Sequence, residues 1–312
     1  MAVDLKKIVN GKIDRPPRTL IYGFEGIGKT SFAIGATDAF VIDANKGSGQ
    51  FSTRRVFVDA WEEILEWTTA IERGDVKCGT VVYDTVSDLE QASYAQLFPG
   101  TTITKYEGGF NKGDDVATLE WRKFLAQLER IWNRGIGITF VSHAKVKTFQ
   151  DPTGPSYERF ELACRQSLAG LLKGWSDYVL FARENVVAAG EKNKPVKART
   201  TGERWIYTKR VPAYDAKARG TVLFPERIPL SWSEFMSAIR NDGARADELR
   251  AELDRMLAEI GDKAYDKTVR EYLKQYPTGL VDAHNRVQIR FNEIRAAEDA
   301  AKVSPDPSEA AA

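Results

Sequence analysis

The sequence predicts an α/β fold with a mainly parallel sheet, a late β-hairpin and a C-terminal helical extension. Short apolar, β-branched runs alternate with helical patterns from residue 19 to about residue 187, as in parallel α/β sheets. A polar turn at residues 190–195 then separates two strand-like runs, which is typical of a hairpin. After residue 231 the apolar residues recur at helical spacing.

The parallel strands are predicted from runs that are apolar without interruption, as expected for strands covered on both faces. They are residues 19–23, 39–43, 79–84, 137–142 and 177–183. Helical patterns lie between them at 29–37, 60–73, 85–97 and 116–134. Right-handed crossovers would place the carboxyl ends of these strands at one edge, where α/β proteins bind ligands.

The late hairpin is predicted from strands at 178–188 and 204–210. Residues 188–220 hold nine Lys or Arg and three acids, a local excess of six positive charges. We expect four regions along the chain: a basic N-terminal segment at 1–18, an α/β core at 19–235, a helical region at 236–300 and a disordered tail at 301–312.

Composition excludes several classes of protein. The chain has 312 residues and a net charge of +1, so a nucleic-acid site would have to be local. The two cysteines, Cys78 and Cys164, are far apart and show no metal or redox spacing, and two histidines alone cannot build a metal site, so a reducing compartment is favoured. The sequence lacks an apolar leader and a run of 18 apolar residues, so we expect no membrane association.

Residues Gly23 to Thr30 match the pattern G-x-x-x-x-G-K-[ST], between a predicted strand and a predicted helix. In such a phosphate-binding loop the backbone N–H groups cradle phosphates, the lysine reaches the β- and γ-phosphates, and the hydroxyl holds Mg²⁺. Lys29 and Thr30 would have these roles. The predicted nucleotide contacts are Gly23, Phe24, Glu25, Gly26, Ile27, Gly28, Lys29, Thr30 and Ser31. The alternative is a glycine-rich turn before an ordinary helix.

A carboxylate is needed to complete the Mg²⁺ site. Asp84 ends the apolar run 80–84 and is predicted to supply it, together with Thr30. A helix follows Asp84, so an N-cap role is the alternative.

Hydrolysis also needs a group that orients the attacking water. Asp43, at the end of strand 39–43, and Asn45 are the candidates. His143, at the end of strand 137–142, is a candidate sensor of the γ-phosphate, and a hydrogen-bonding loop histidine is the alternative.

Two long polar segments are expected to be loops that bind single-stranded nucleic acid, in which bases track phosphates and aromatic rings stack on nucleobases. In residues 144–165 the candidates are Lys145, Lys147, Phe149 and Arg159. In residues 98–115 they are Lys105 and Lys112. The alternative for both segments is a solvated surface loop.

Several stretches resemble phage-encoded RecA-like P-loop nucleotide-binding proteins of the AAA domain type, over roughly residues 15–235. They are the phosphate loop YGFEGIGKT, the strand VVYDT, the stretch FVSHAKVKTFQDP, the segment LLKGWSDYVLF, and PAYDAKARG followed by FPERIPL. The phosphate loop is generic to many families, whereas the last segment is more specific. Some members, the Sak-four-like group, are single-strand annealing proteins.

The resemblance implies a RecA-like core at 19–235 that binds ATP and Mg²⁺, forms a homo-oligomeric ring or filament on single-stranded DNA and promotes annealing. It also implies a single-strand DNA-binding protein as partner and the cytoplasm of a bacterial host as the location. Lys217 and Arg219 would stabilise phosphoryl charge at a neighbouring subunit's nucleotide. A solvated basic turn is the alternative.

Two departures from the family pattern affect these expectations. Asn45 stands where a glutamate is expected, so hydrolysis would be slow or would use another residue. Residues 236–312 lie beyond the resemblance and are expected to bind a partner. A second hypothesis is therefore an ATP-regulated scaffold or loader that acts on a protein partner in phage replication or recombination.

Overall fold

The computed structural model describes residues 15–189, 197–220, 224–276 and 279–303. The chain divides into two compact units, one comprising Met1–Ala218 with Glu226–Phe235 and the other Arg219–Pro225 with Met236–Ala312. Our expectations for most of the basic N-terminal segment, for the turn at 190–195 and for most of the tail lie outside the described residues.

The first unit is built on one sheet, and its central strands are parallel. The strands are β1 Arg18–Gly23, β2 Ala39–Asp43, β3 Arg54–Phe57, β4 Thr80–Asp84, β5 Gly137–Phe149, β6 Tyr157–Leu162, β7 Tyr178–Ala189, β8 Lys197–Tyr207, β9 Lys217–Ala218 and β10 Arg227–Pro229. The order is β10-β8-β7-β1-β5-β4-β2-β3, with β6 paired to β5 and β9 to β7. The predicted α/β class is confirmed, and β7 and β8 form the predicted antiparallel hairpin.

Helices follow the strands along the chain. In the first unit they are α1 Lys29–Ile34, α2 Trp61–Arg73, α3 Val86–Leu97, α4 Lys112–Asn133 and α5 Gln166–Trp175. Three more follow: α6 Trp232–Ile260, α7 Lys263–Gln275 and α8 Leu280–Val303. Among the described helices, none is long and apolar enough to cross a membrane.

Parallel register brings the ends of β1, β2 and β4 and the middle of β5 to one edge of the parallel sheet. Gly23 on β1 is paired with His143 on β5, and Asp43 on β2 with Asp84 on β4. The strands are buried because helices cover the sheet, and the core includes Trp61, Trp121 and Phe124, all 1% exposed. Burial of this apolar surface holds the strand ends in place.

The segment 144–165 is not a loop, which corrects the expectation from its polarity. Strand β5 continues to Phe149 and pairs antiparallel with β6, with Lys145 opposite Glu161 and Val146 opposite Phe160. The ladder pairs the backbone groups that the two strands turn toward each other, so charged side chains can project from a regular hairpin. Polarity alone does not distinguish such a hairpin from a loop.

Several other elements differ from the sequence prediction. Helix α4 begins at Lys112 rather than at 116, β8 begins at Lys197 rather than at 204, and β3, α5, β9 and β10 were not predicted. The apolar spacing within 116–134 includes Leu119, but Leu119 is 57% exposed, and Trp121 lies in the core instead. Apolar spacing identified the helix, but the choice of buried face depended on the partners in the fold.

The second unit has a small core of its own. Its buried residues come from α6, α7 and α8 and include Leu253, Met256, Val269 and Val287. Asp262 caps α7 by accepting hydrogen bonds from the backbone N–H groups of Ala264 and Tyr265, each at 3.0 Å. The predicted C-terminal helical extension is confirmed.

Candidate nucleotide-binding site

The phosphate loop connects β1 to α1, and glycine is required at three of its positions. A β-carbon on Gly23 would lie 2.4 Å from the backbone oxygen of Ala182 on β7, which is too close for any other residue. Gly26 and Gly28 have φ angles of +74° and +107°. These left-handed conformations strain residues that have a β-carbon.

Lys29 is held inside the loop. It is 5% exposed, and its ammonium donates a hydrogen bond of 2.8 Å to the backbone oxygen of Phe24. Burial lowers the pKa of Lys29 to about 8, against the opposing effect of Asp84 and Glu25. A buried ammonium with little compensating charge is ready to gain an anionic partner such as a phosphate.

Thr30 and Asp84 lie side by side at the start of α1 and the end of β4. The Thr30 hydroxyl donates a hydrogen bond of 2.7 Å to Oδ2 of Asp84. Oδ1 of Asp84 is buried, and it has no hydrogen-bond partner among the residues that the structure describes. Burial, together with the charges of Asp43 and Asp88, raises the pKa of Asp84 to about 6.

This pair fits a divalent cation of the Mg²⁺ type. Such hard cations take oxygen ligands, commonly one or two carboxylates with water and phosphate oxygens. A bound cation would supply the missing partner of Asp84 and favour its ionised form. Thr30 and Asp84 are the residues that would hold it.

His143 lies beside the loop, as expected for a residue that contacts the terminal phosphate. It is the register partner of Gly23, and its Nδ1 is buried with no hydrogen-bond partner among the described residues. Burial and the charge of Lys29 lower the pKa of His143. The imidazole is therefore neutral at pH 7 and can exchange a hydrogen bond with a ligand.

Asp43 and Asn45 are engaged in the turn that follows β2. The Asp43 carboxylate is fully buried and accepts hydrogen bonds from the Asn45 N–H at 3.1 Å and from the Ser48 N–H at 2.9 Å. The Asn45 side chain accepts one from the Gly47 N–H at 2.6 Å. Both side chains thus shape the turn, and their role in orienting water stays a prediction.

The two predicted trans-acting cations belong to different units. Lys217 on β9 donates a hydrogen bond to the backbone oxygen of Lys173, near the end of α5. Arg219 begins the segment assigned to the second unit. Their action on a neighbouring subunit stays a prediction.

The hairpin β5–β6 carries most of the predicted nucleic-acid contacts. Lys145 and Lys147 are exposed, and Phe149 packs against Tyr157 with ring centroids 5.3 Å apart. Lys105, in the segment before α4, and Lys112, the first residue of α4, are also exposed.

Arg159 has a different role from the one predicted, and it is not a phosphate contact. Its side chain is only 7% exposed and lies 2.7 Å from Asp215 in an ion pair. A buried guanidinium paired in this way is not available to DNA phosphates. Sequence reasoning could not identify this ion pair, because Asp215 is more than 50 residues away from Arg159 in the chain.

An aromatic contact joins the phosphate loop to the hairpin. Phe24 in the loop packs edge to face on Phe160 of β6, with centroids 5.4 Å apart. Phe160 in turn packs on Phe181 of β7 at 5.0 Å. A movement of the phosphate loop on nucleotide binding would therefore be transmitted to the hairpin β5–β6 through these rings.

Sequence reasoning missed one residue near the loop, Arg204 on β8. A β-carbon placed on Gly28 would lie 3.5 Å from Nη1 of Arg204. Nothing singles out Arg204 among the nine basic residues of 188–220. The only sequence signal is alternation, because Arg204 lies on the same face of β8 as the buried Ile206.

Comparison with known proteins places the sequence of this chain in a family. The crystal structure of the RadB recombinase is similar at a TM-score of 0.40 and 14% sequence identity, covering 70% of this chain and 90% of that chain. No curated protein is significantly similar to the chain in sequence. A family model described as an AAA domain matches residues 15–220, which is more than half of the chain, and the protein therefore belongs to this AAA domain family.

Proposed function

We propose that this protein is an ATP-binding, RecA-like phage recombination protein that binds single-stranded DNA and promotes strand annealing. The observation that carries the proposal is the contact between Phe24 and Phe160, because it joins a nucleotide loop to a basic hairpin. Membership of the AAA domain family supports the nucleotide part, and the resemblance of several sequence stretches supports the DNA part.

ATP and Mg²⁺ would bind at the phosphate loop. Lys29 would leave the Phe24 oxygen for the β- and γ-phosphates, and Thr30 and Asp84 would hold the cation. His143 would contact the γ-phosphate, which ADP lacks. The conformation of the phosphate loop would therefore differ between the ATP-bound and the ADP-bound protein. With Asp43 and Asn45 engaged in their own turn, hydrolysis would be slow, and ATP would act mainly as an assembly switch.

Single-stranded DNA would lie along the exposed faces of the hairpin β5–β6, of the segment before α4 and of the start of α4. Lys145, Lys147, Lys105 and Lys112 would track phosphates, and Phe149 would stack on a base. Homo-oligomers, as rings or filaments, would bring Lys217 and Arg219 to a neighbour's nucleotide. A single-strand DNA-binding protein is the expected protein partner.

The test is fluorescence anisotropy of a labelled oligonucleotide, single- or double-stranded, titrated with protein with and without ATP and Mg²⁺. We expect binding that prefers the single strand and tightens with ATP. Annealing of complementary labelled strands is then measured by energy transfer. No binding at tens of micromolar protein, with ATP binding established separately, would contradict the DNA part.

The second candidate is an ATP-regulated scaffold or loader for a protein partner. The helical second unit favours it, because it has its own core and exposes Ile289 and Tyr276 at 61% and 49%. Assembly that requires a partner protein, without DNA binding by the isolated chain, would favour this candidate.

A further inference from the structure

Arg204 is a charged residue of β8 whose side chain approaches the phosphate loop. Its guanidinium and Leu230 both approach Gly28, at 3.5 and 3.3 Å from the position of a β-carbon there. The backbone of Arg204 is fixed at this point, because its oxygen accepts a 2.9 Å hydrogen bond from the Leu230 N–H. Strand β8 is separated from β1 only by β7.

Arg204 and Asp84 lie on opposite sides of β1. Strands β5 and β4, which carry His143 and Asp84, are on one side, and β7 and β8 are on the other. A cation held by Thr30 and Asp84 would favour binding of the γ-phosphate on the side of Asp84. The other end of the triphosphate, with the α-phosphate, would then lie toward β7 and β8.

The Arg204 side chain has donors available for a ligand. It is 49% exposed, and its ion pair with Glu184, its cross-strand partner on β7, is loose at 3.5 Å. A guanidinium has five N–H donors in a rigid fork, and this pair occupies only one edge of it. Glu184 therefore orients the group and leaves other donors toward the loop.

We propose that Arg204, positioned by Glu184, binds the α-phosphate of the nucleotide. The inference rests on the proposed nucleotide site and adds to it a contact on the side away from the metal. Arginine forms charge-assisted hydrogen bonds with phosphate oxygens, often in pairs. The hairpin would thereby hold ATP and ADP alike, whereas Asp84 and His143 respond to the γ-phosphate.

The experiment measures the dissociation constants of fluorescent ATP and ADP analogues for the full chain with Mg²⁺. Arg204→Ala should weaken both nucleotides by the same factor, on the order of tenfold for a lost charged hydrogen bond. Arg204→Lys should recover part of the loss. Glu184→Gln should weaken both nucleotides less, and should add nothing in the Arg204→Ala background if Glu184 acts through Arg204.

Lys209→Ala is the matched control, because Lys209 is similarly exposed at 59%, follows β8 and pairs with Glu226. It should change neither constant. A loss for ATP alone would place Arg204 at the γ-phosphate and overturn the proposal, and so would equal affinities for wild type and Arg204→Ala. If the wild-type chain bound neither nucleotide, the nucleotide site itself would be wrong, which is a different result.

Discussion

At the residue scale, the phosphate loop depends most on Lys29. Lys29→Ala removes the only side-chain cation that the described structure places inside the loop. We expect ATP binding to be lost in calorimetric titration, because the β- and γ-phosphates would have no side-chain counter-charge. The thermal unfolding midpoint without nucleotide should not fall, since burial of this ammonium is already unfavourable. Unchanged ATP affinity would refute the assignment.

Asp215 is a second residue on which the first unit depends, although it is far from the loop in sequence. Its carboxylate lies 2.6 Å from Lys173 and 2.7 Å from Arg159, and its backbone oxygen accepts a 2.6 Å hydrogen bond from the Tyr22 hydroxyl. Burial alone would raise the pKa of Asp215, but the hydrogen bond and charge of Lys173 and the charge of Arg159 outweigh it. The pKa therefore lies below its ordinary value of 3.8.

Asp215→Asn should lower the free energy of unfolding by about 2–3 kcal/mol at pH 7, because it removes the carboxylate 2.7 Å from buried Arg159 and leaves only the longer 3.8 Å pair with Glu161. A carboxylate with a lowered pKa stabilises the fold above its ordinary pKa, and this contribution is lost as pH falls through the lower folded value. The gap between wild type and variant, measured by urea unfolding, should thus be constant above about pH 4 and shrink below it.

Asp59→Asn is the control for this prediction, since Asp59 pairs with Lys46 but is 75% exposed. Its effect should be within about 0.5 kcal/mol at every pH. A gap for Asp215→Asn that is as large at pH 3 as at pH 7 would mean that the carboxylate charge is not its cause.

At the scale of elements, the hairpin β5–β6 is the predicted DNA-binding surface. Lys145→Glu with Lys147→Glu should weaken single-strand binding and flatten its dependence on salt, by about 0.7 in the logarithmic slope for each lost phosphate contact. Anisotropy titrations at several salt concentrations measure this slope. Lys123→Glu, which changes a lysine that is 66% exposed on α4, is the control. An unaltered slope in the double variant would place the DNA site elsewhere.

The contact between loop and hairpin makes a separate prediction. Phe24→Ala removes the ring that meets Phe160 and leaves the backbone oxygen that receives Lys29. We expect ATP affinity to stay within about threefold of wild type, because exposed side chains contribute little to the loop's stability. The increase in affinity for single-stranded DNA on adding ATP should be largely lost, since the variant lacks the contact that joins the phosphate loop to the hairpin β5–β6.

Phe57→Ala is the matched control for the coupling experiment. Phe57 has the same exposure as Phe24, 47%, but lies on β3 at the far edge of the sheet. Phe57→Ala should not change the increase in affinity for single-stranded DNA that ATP produces. An ATP effect of wild-type size in Phe24→Ala would show that coupling runs through other residues.

At the scale of the whole molecule, each unit has its own apolar core. Trp232 and Phe235 belong to the first unit, and both pack on Phe32 of α1, with centroids 5.2 and 5.8 Å apart. A chain that ends at Arg240 keeps these rings and loses the second unit's core. We expect it to unfold cooperatively and to bind ATP within about twofold of the full chain.

A chain that ends at Leu230 is the comparison for this truncation. It also lacks Trp232 and Phe235, and it should be less stable than the chain ending at Arg240 by about 3 kcal/mol or more. Calorimetry and nucleotide titration of both chains provide the measurements. Loss of ATP binding in the longer chain would mean that the second unit is needed for the nucleotide site.

The loop, the parallel strands and Asp84 could be predicted from the sequence because their signals are local. The signals are a glycine pattern, a run of β-branched residues and a carboxylate at the end of a strand. Each of them is contained within a few consecutive residues. The parallel arrangement then brings Gly23, His143, Asp43 and Asp84 to one edge without further information.

Other features depend on partners that are distant in the chain. Arg159 is buried in an ion pair because Asp215 lies beside it. The segment 144–165 is a hairpin because its two halves pair as antiparallel strands. Phe24 meets Phe160, and Arg204 reaches Gly28, only because β5–β6 and β8 fold back toward β1. Such contacts follow from the packing of the whole sheet, whereas a sequence pattern reports the period of one segment and not what lies against it.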